Sequence, residues 1–206
     1  MKKIFTFPNV LTFARLILSP IMLPILIVYF LPYNYLWVNT FLAALFALFS
    51  ITDFFDGYLA RRYEQVTTLG RVLDPIADKF LVFSTLIALL AIQKIFFVWV
   101  LILIGREFFM LGIRQLALEN NFAIHVSWWG KLKTVAQLCY LTFLIYNPYH
   151  THEFGGFSGF VRDFYNAPCW MGAELALAFL AMGLSVFSAQ RYYSSFMAEF
   201  RDKQLQ

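Results

Sequence analysis

Charge is what this chain has least of. Asp, Glu, Lys and Arg together supply 14% of its 206 residues, where a soluble globular domain carries about a quarter. That deficit excludes water as the solvent for most of the surface and points to lipid. Cysteine is scarcer still. Cys139 and Cys169 lie in or beside apolar segments with no C-x-x-C spacing, too few for a disulfide framework, and they read as small packing residues. No Lys/Arg run exceeds two: the pairs are Lys2-Lys3 and Arg61-Arg62, both flanking apolar segments. A nucleic-acid-binding stripe is therefore excluded, and the formal charge of +4 is modest. Internal repeats of solenoid length and low-complexity tracts are also missing. No small-residue cleavage site follows the first apolar run near Tyr33, so that run is expected to be retained as a span.

What the chain has instead is apolar length: 61% apolar residues and 20% aromatics. A helix crosses a bilayer with roughly 20 apolar residues. Six spans are predicted, at about 10–31, 37–61, 73–93, 95–117, 128–147 and 169–190, forming a single membrane domain over 1–206. The expected fold class is all-α and polytopic. Arg62 to Arg71 reads as a polar connector, Pro32-Tyr33-Asn34 and Gln93-Lys94 as short breaks, and 148–168 as a long loop outside the membrane.

Basic residues fix the orientation. With a cytoplasmic N-terminus, fourteen Lys and Arg fall on the cytoplasmic side, and Lys94 and Arg162 alone on the other. Both termini are thus expected inside, in agreement with an even number of spans.

Carboxylates near a membrane are costly and usually functional. Asp53, Asp56, Asp74 and Asp78 fall within 26 positions, at the cytoplasmic ends of successive spans. At about 100° per residue, Asp56 lies about 60° from Asp53, and Ala60 about 20° from it. Asp74 and Asp78, four apart, also share a face. Pro75 suits a first helical turn capped by Asp74, or else kinks the helix. Four carboxylates converging in low dielectric need cations, and oxygen-only ligands favour Mg²⁺ or Mn²⁺. Gly57 and Ala60, small and adjacent, let a phosphate approach the backbone. Solvation or pairing with Arg61, Arg62 and Lys79 accounts for any one of these aspartates, but poorly for four at these spacings.

The stretch from Asp53 to Asp78 resembles the CDP-alcohol phosphotransferase family, whose pattern is D-x2-D-G-x2-A-R-x8-G-x3-D-x3-D. Asp53, Asp56, Gly57, Ala60, Arg61, Gly70, Asp74 and Asp78 match every fixed position. The resemblance implies a six-helix membrane fold, two metal ions on the cytoplasmic side, a homodimer, and displacement of CMP from a CDP-linked donor by an alcohol. It makes Asp53, Asp56 and Asp74 chiefly metal ligands, and Asp78 both a ligand and the favoured general base. Asp56, Gly57, Ala60, Arg61 and Gly70 would border the CDP donor.

FPNVLTFARLILSP, GREFFMLGIRQLALENN and VSWWGKLKTVAQ look like the bacterial branch that uses CDP-diacylglycerol and sn-glycerol 3-phosphate. The expected setting is a bacterial inner membrane, with the active site facing the cytoplasm. An acceptor bearing a phosphate suits Arg106, Arg114, Lys131 and Lys133 near the cytoplasmic ends of spans four and five, with Arg191 as a further candidate. Glu107 could orient Arg114. These cations could instead serve topology alone. Other acceptors in the same family are phosphatidylglycerol, serine and an inositol phosphate. A cation transporter would spread its carboxylates through the bilayer depth, unlike the grouping here. Glu174 is left unassigned. His150, His152 and Glu153 sit in the outer loop, away from the carboxylates, and are given no metal role.

Overall fold

The computed structural model describes the backbone of residues 20–62, 68–119, 128–148 and 168–204; within these, side chains are described for 20–52, 79–117, 119, 128–148 and 169–201. Among the described residues every regular element is helical. These are α1 (20–30), α2 (Leu36–Arg62), α3 (Thr68–Ala91), α4 (Phe97–Glu119), α5 (Trp128–Tyr146) and α6 (Pro168–Gln204). They divide between two compact units. One comprises Met1–Ile95 with Leu141–Asp163, the other Phe96–Tyr140 with Phe164–Gln206.

In the first unit, Leu23 and Ile27 of α1 and Leu31 just after it are buried at four-residue spacing, one stripe of a helix. A 3-10 turn, Leu31–Tyr33, closes it, and Asn34 ends it in the left-handed region at φ 53°. Asparagine tolerates that conformation because its short side chain bonds locally. Here Asn34 Oδ1 accepts from Asn39 Nδ2 at 3.0 Å, while Asn34 Nδ2 donates to the Pro148 carbonyl at 2.5 Å. On α2, Val38, Leu42 and Phe46 form the inward stripe, whereas Trp37, Phe41, Leu48 and Ile51 are exposed.

The break expected at Gln93-Lys94 is a helix cap of the Schellman type. Gln93 is left-handed at φ 59°, its N–H donates to Leu90 O at 3.0 Å, and the Lys94 N–H donates to Leu89 O at 2.8 Å. The Lys94 side chain departs from expectation. It is fully buried rather than a loop charge, and its Nζ donates to the carbonyls of Asn147 at 2.7 Å and Leu144 at 3.4 Å. An ammonium thus satisfies the carbonyl end of α5, where the helix dipole favours a cation.

In the second unit, α6 buries Met171, Glu174, Ala178, Ala181, Ser185, Ser188, Tyr192 and Phe196, at steps of three or four residues with small residues in the middle. Small residues let helix backbones approach closely. α4 faces this stripe and runs parallel to it. Trp99 meets Phe179 at 5.4 Å between ring centroids, Arg106 reaches Ser185 and Ser188, and Phe109 meets Tyr193 at 6.2 Å. Met110, Ile113 and Ala117 of α4 then pack with Ala189, Tyr192 and Phe196 of α6.

Two boundaries differ from the predicted spans. α3 starts at Thr68, so Gly70 lies within the helix rather than in a connector. Pro75 is then an interior residue, and Asp74 does not cap a first turn. α6 continues to Gln204 instead of stopping near 190, because no Gly or Pro follows Gly183 and Tyr192 and Phe196 have α4 to pack against. Residues 10–19 of the first predicted span and most of the 148–168 loop lie outside the described residues. Among the described residues, Cys169–Arg201 is the one helix long and apolar enough to cross a membrane by length and composition. Pro20–Tyr33, Leu36–Thr52 and Lys79–Ala91 are shorter apolar helices.

Among the described residues, polar groups share the interior with the apolar core while large apolar side chains face outward. Asn39, Thr85, Lys94, Glu107, Lys133, Gln137, Asn147, Glu174, Ser185 and Ser188 are buried, while Trp37, Phe41, Phe97, Phe108, Trp128 and Phe179 are each more than half exposed.

Candidate active site

The motif residues occupy the successive ends, C-terminal then N-terminal, of two helices consecutive in the chain. Asp53, Asp56, Gly57, Ala60 and Arg61 lie in the C-terminal part of α2; Gly70, Asp74 and Asp78 lie in the first half of α3. Five residues, 63–67, separate the helices. The helical backbone puts Asp53 and Asp56 at i, i+3 and Asp74 and Asp78 at i, i+4, so each pair shares a helix face. Just before Asp53, α2 satisfies its hydroxyls internally: Ser50 Oγ donates to Phe46 O at 2.9 Å and Thr52 Oγ1 to Leu48 O at 2.6 Å. The side chains of Asp53, Asp56, Gly57, Ala60, Arg61, Gly70, Asp74 and Asp78 lie outside the described residues. Their donor set, carboxylate oxygen without thiolate or imidazole, fits Mg²⁺ or Mn²⁺.

The basic candidates lie in the second unit and are not equivalent. Arg106, near the middle of α4, uses all three of its guanidinium nitrogens. Nε donates to Ser185 O at 3.0 Å, Nη1 to Glu107 Oε1 at 2.8 Å, and Nη2 to Ser188 Oγ at 2.5 Å. Ser188 Oγ in turn donates to Ser185 O at 3.0 Å. From α5, the Lys133 ammonium donates to the same Glu107 oxygen. The side chains of Arg106, Glu107 and Lys133 are 12%, 7% and 6% exposed. Two cations and one carboxylate thus form a nearly dry triad of net charge +1. Burial of charge costs several kcal/mol per ion, roughly, and is tolerated when each ion is paired and hydrogen-bonded.

Glu107, expected to orient Arg114, is engaged instead by Arg106 and Lys133. Arg114 and Lys131 are exposed. Arg191 is also exposed, and its guanidinium carbon lies 5.5 Å from the centroid of the Phe187 ring, a cation–π distance. Phe187 meets Trp129 edge-on at 5.0 Å. The structure therefore brings Arg106 and Lys133 together and leaves Arg114, Lys131 and Arg191 at the surface. Sequence reasoning missed Ser185 and Ser188, whose i, i+3 spacing among small residues of α6 was the available signal. It also left Glu174 unplaced; that carboxylate is buried on α6 within electrostatic reach of Tyr140 on α5.

Comparison with known proteins agrees with the motif. The chain is 32% identical to a CDP-diacylglycerol–glycerol-3-phosphate 3-phosphatidyltransferase of Salmonella choleraesuis (strain SC-B67), and equally to one of Escherichia coli (strain K12). Each alignment covers 97% of this chain and 99% of the relative. Residues 5–189 match the family described as CDP-alcohol phosphatidyltransferase, a stretch that takes in the eight motif positions and the buried triad. The chain belongs to the CDP-alcohol phosphatidyltransferase family.

Proposed function

We propose that this chain transfers the phosphatidyl group of CDP-diacylglycerol to sn-glycerol 3-phosphate, giving phosphatidylglycerophosphate and CMP. The observation that carries the reading is the complete eight-position motif, in a chain alignable end to end with relatives named for that reaction. The acceptor's hydroxyl oxygen attacks the phosphorus that bears diacylglycerol. The bond from that phosphorus to the oxygen shared with CMP breaks, and CMP leaves with the electron pair. Asp78 takes the hydroxyl proton as general base. Asp53, Asp56, Asp74 and Asp78 would hold two Mg²⁺ or Mn²⁺ ions, which when bound neutralise phosphate oxygens and the charge developing on the leaving group. Asp56, Gly57, Ala60, Arg61 and Gly70 border the donor, the glycine and alanine positions allowing close backbone approach. Arg106, Lys133, Arg114, Lys131 and Arg191 are assigned to the acceptor's phosphate, arginine through its fork and lysine as a point charge.

The setting we infer is supported by the exposed apolar side chains and the buried polar groups. Exposed Trp, Phe, Leu and Ile over buried polar groups is the distribution expected where lipid is the solvent. Even α5, with 19 residues, is roughly 28 Å long at 1.5 Å per residue, close to a hydrocarbon core of about 30 Å. We read the chain as a six-span protein of a bacterial inner membrane, with both termini and the aspartates on the cytoplasmic side, working as a homodimer. Parallel α4 and α6 suit spans four and six crossing in one direction. A second role for Arg106 is favoured by its bonds to Ser185 and Ser188: it ties α4 to α6.

Purified protein supplied with CDP-diacylglycerol, Mg²⁺ or Mn²⁺ and a panel of acceptors tests the reading. Glycerol 3-phosphate is expected to stimulate CMP release well above serine, phosphatidylglycerol or inositol phosphate. Release with glycerol 3-phosphate no greater than with serine refutes the assignment.

A further inference from the structure

One oxygen of Glu107 accepts from both Arg106 Nη1 and Lys133 Nζ, and this sharing assigns Glu107 a task that neither the motif nor the family match contains. Two donors on one oxygen stand within about 6 Å of each other at ordinary hydrogen-bond lengths. Arg106 and Lys133 come from different helices, α4 and α5, and both are cationic and nearly buried. Without an anion between them, like charges in so dry a setting repel strongly. The carboxylate is therefore what lets them sit side by side.

We propose that Glu107 is a positioning residue for acceptor recognition. It holds the Arg106 guanidinium and the Lys133 ammonium close enough together for one phosphate group to meet both, while leaving the triad a net positive charge. The inference rests on the reading that Arg106 and Lys133 receive the acceptor's phosphate.

Two effects of removing the carboxylate oppose each other. Losing a negative charge favours an incoming phosphate; losing the common anchor lets the two cations separate. Arg106 keeps Ser185 O and Ser188 Oγ, so it stays in place and the change falls on Lys133, which has to move away from it. A site assembled before binding spares the ligand the cost of assembling it. Loss of the anchor therefore wins, and affinity for the acceptor falls.

The test is steady-state kinetics with glycerol 3-phosphate and CDP-diacylglycerol varied in turn. Glu107→Gln is expected to raise KM for glycerol 3-phosphate about tenfold, with kcat and KM for CDP-diacylglycerol within about twofold of the parent. Glu107→Asp, which keeps the charge on a shorter stem, is expected to return KM to within about threefold, and it carries the test if the glutamine variant does not insert. In a Lys133→Gln background, Glu107→Gln is expected to add less than about twofold, because the partner it positions is gone. An unchanged acceptor KM, a loss confined to kcat, or full multiplicative effects in the double variant would each overturn the proposal. Parent protein unresponsive to glycerol 3-phosphate refutes instead the acceptor reading beneath it.

Discussion

Asp78→Asn exchanges a carboxylate for an amide of nearly the same shape, removing the capacity to take a proton and a metal-binding oxygen while leaving helix α3 intact. General-base catalysis contributes about 10²–10⁴-fold, so CMP release is expected to fall at least about 100-fold while the protein still extracts from membranes as a single monodisperse species. Turnover near that of the parent would remove Asp78 from the base role. The aspartates were legible in the sequence because their pattern is local: i, i+3 and i, i+4 spacings read directly onto helix faces. The triad was not. Glu107 and Lys133 are 26 positions apart and belong to different helices, so periodicity within either one says nothing of their meeting. The adjacent Arg106 and Glu107 in an otherwise apolar stretch marked the place without revealing the partner.

Helix ends and helix faces carry a second layer of information. Lys94 looked like a stray charge in a turn, yet it is buried against the carbonyls of Leu144 and Asn147. Those carbonyls are backbone and remain when the side chain is removed. Lys94→Met therefore leaves two acceptors at the end of α5 without that donor. The expected cost is about 1–3 kcal/mol, somewhat reduced because methionine is cheaper to bury than an ammonium. Thermal unfolding in detergent is expected to show a midpoint several degrees lower, with KM for glycerol 3-phosphate unchanged; an unaltered midpoint would show that the cap contributes nothing. The same layer explains the boundary differences. The sixth span was expected to end near 190, but a helix stops at a breaker or where its packing ends, and α6 meets no Gly or Pro after Gly183 and keeps packing as far as Phe200. Pro75 suggested a start for α3, whereas the helix begins at Thr68. Proline inside a helix costs one hydrogen bond and a clash, roughly 3 kcal/mol, and a helix of 24 residues can absorb that.

At the scale of the molecule, the described residues bury several polar groups beside an apolar core and expose many large apolar side chains, a distribution in keeping with the scarcity of charge. Of the expectations drawn from composition and span lengths, the helical class is what the described residues show. Pairings between distant helices, such as the parallel register of α4 on α6 or the capping of α5 by Lys94, depended on contacts that a single sequence does not encode locally. The reaction itself is also a property of the whole chain, since its evidence combines a motif on α2 and α3 with an end-to-end match to relatives. It is tested most directly by following the product. Purified protein in mixed micelles would be given CDP-diacylglycerol, Mg²⁺ and isotopically labelled glycerol 3-phosphate, and the organic phase analysed by mass spectrometry. The expected result is label in a lipid with the mass of phosphatidylglycerophosphate, formed one for one with CMP. Label that stays in the aqueous phase while another acceptor yields CMP and an unlabelled lipid product would contradict the account.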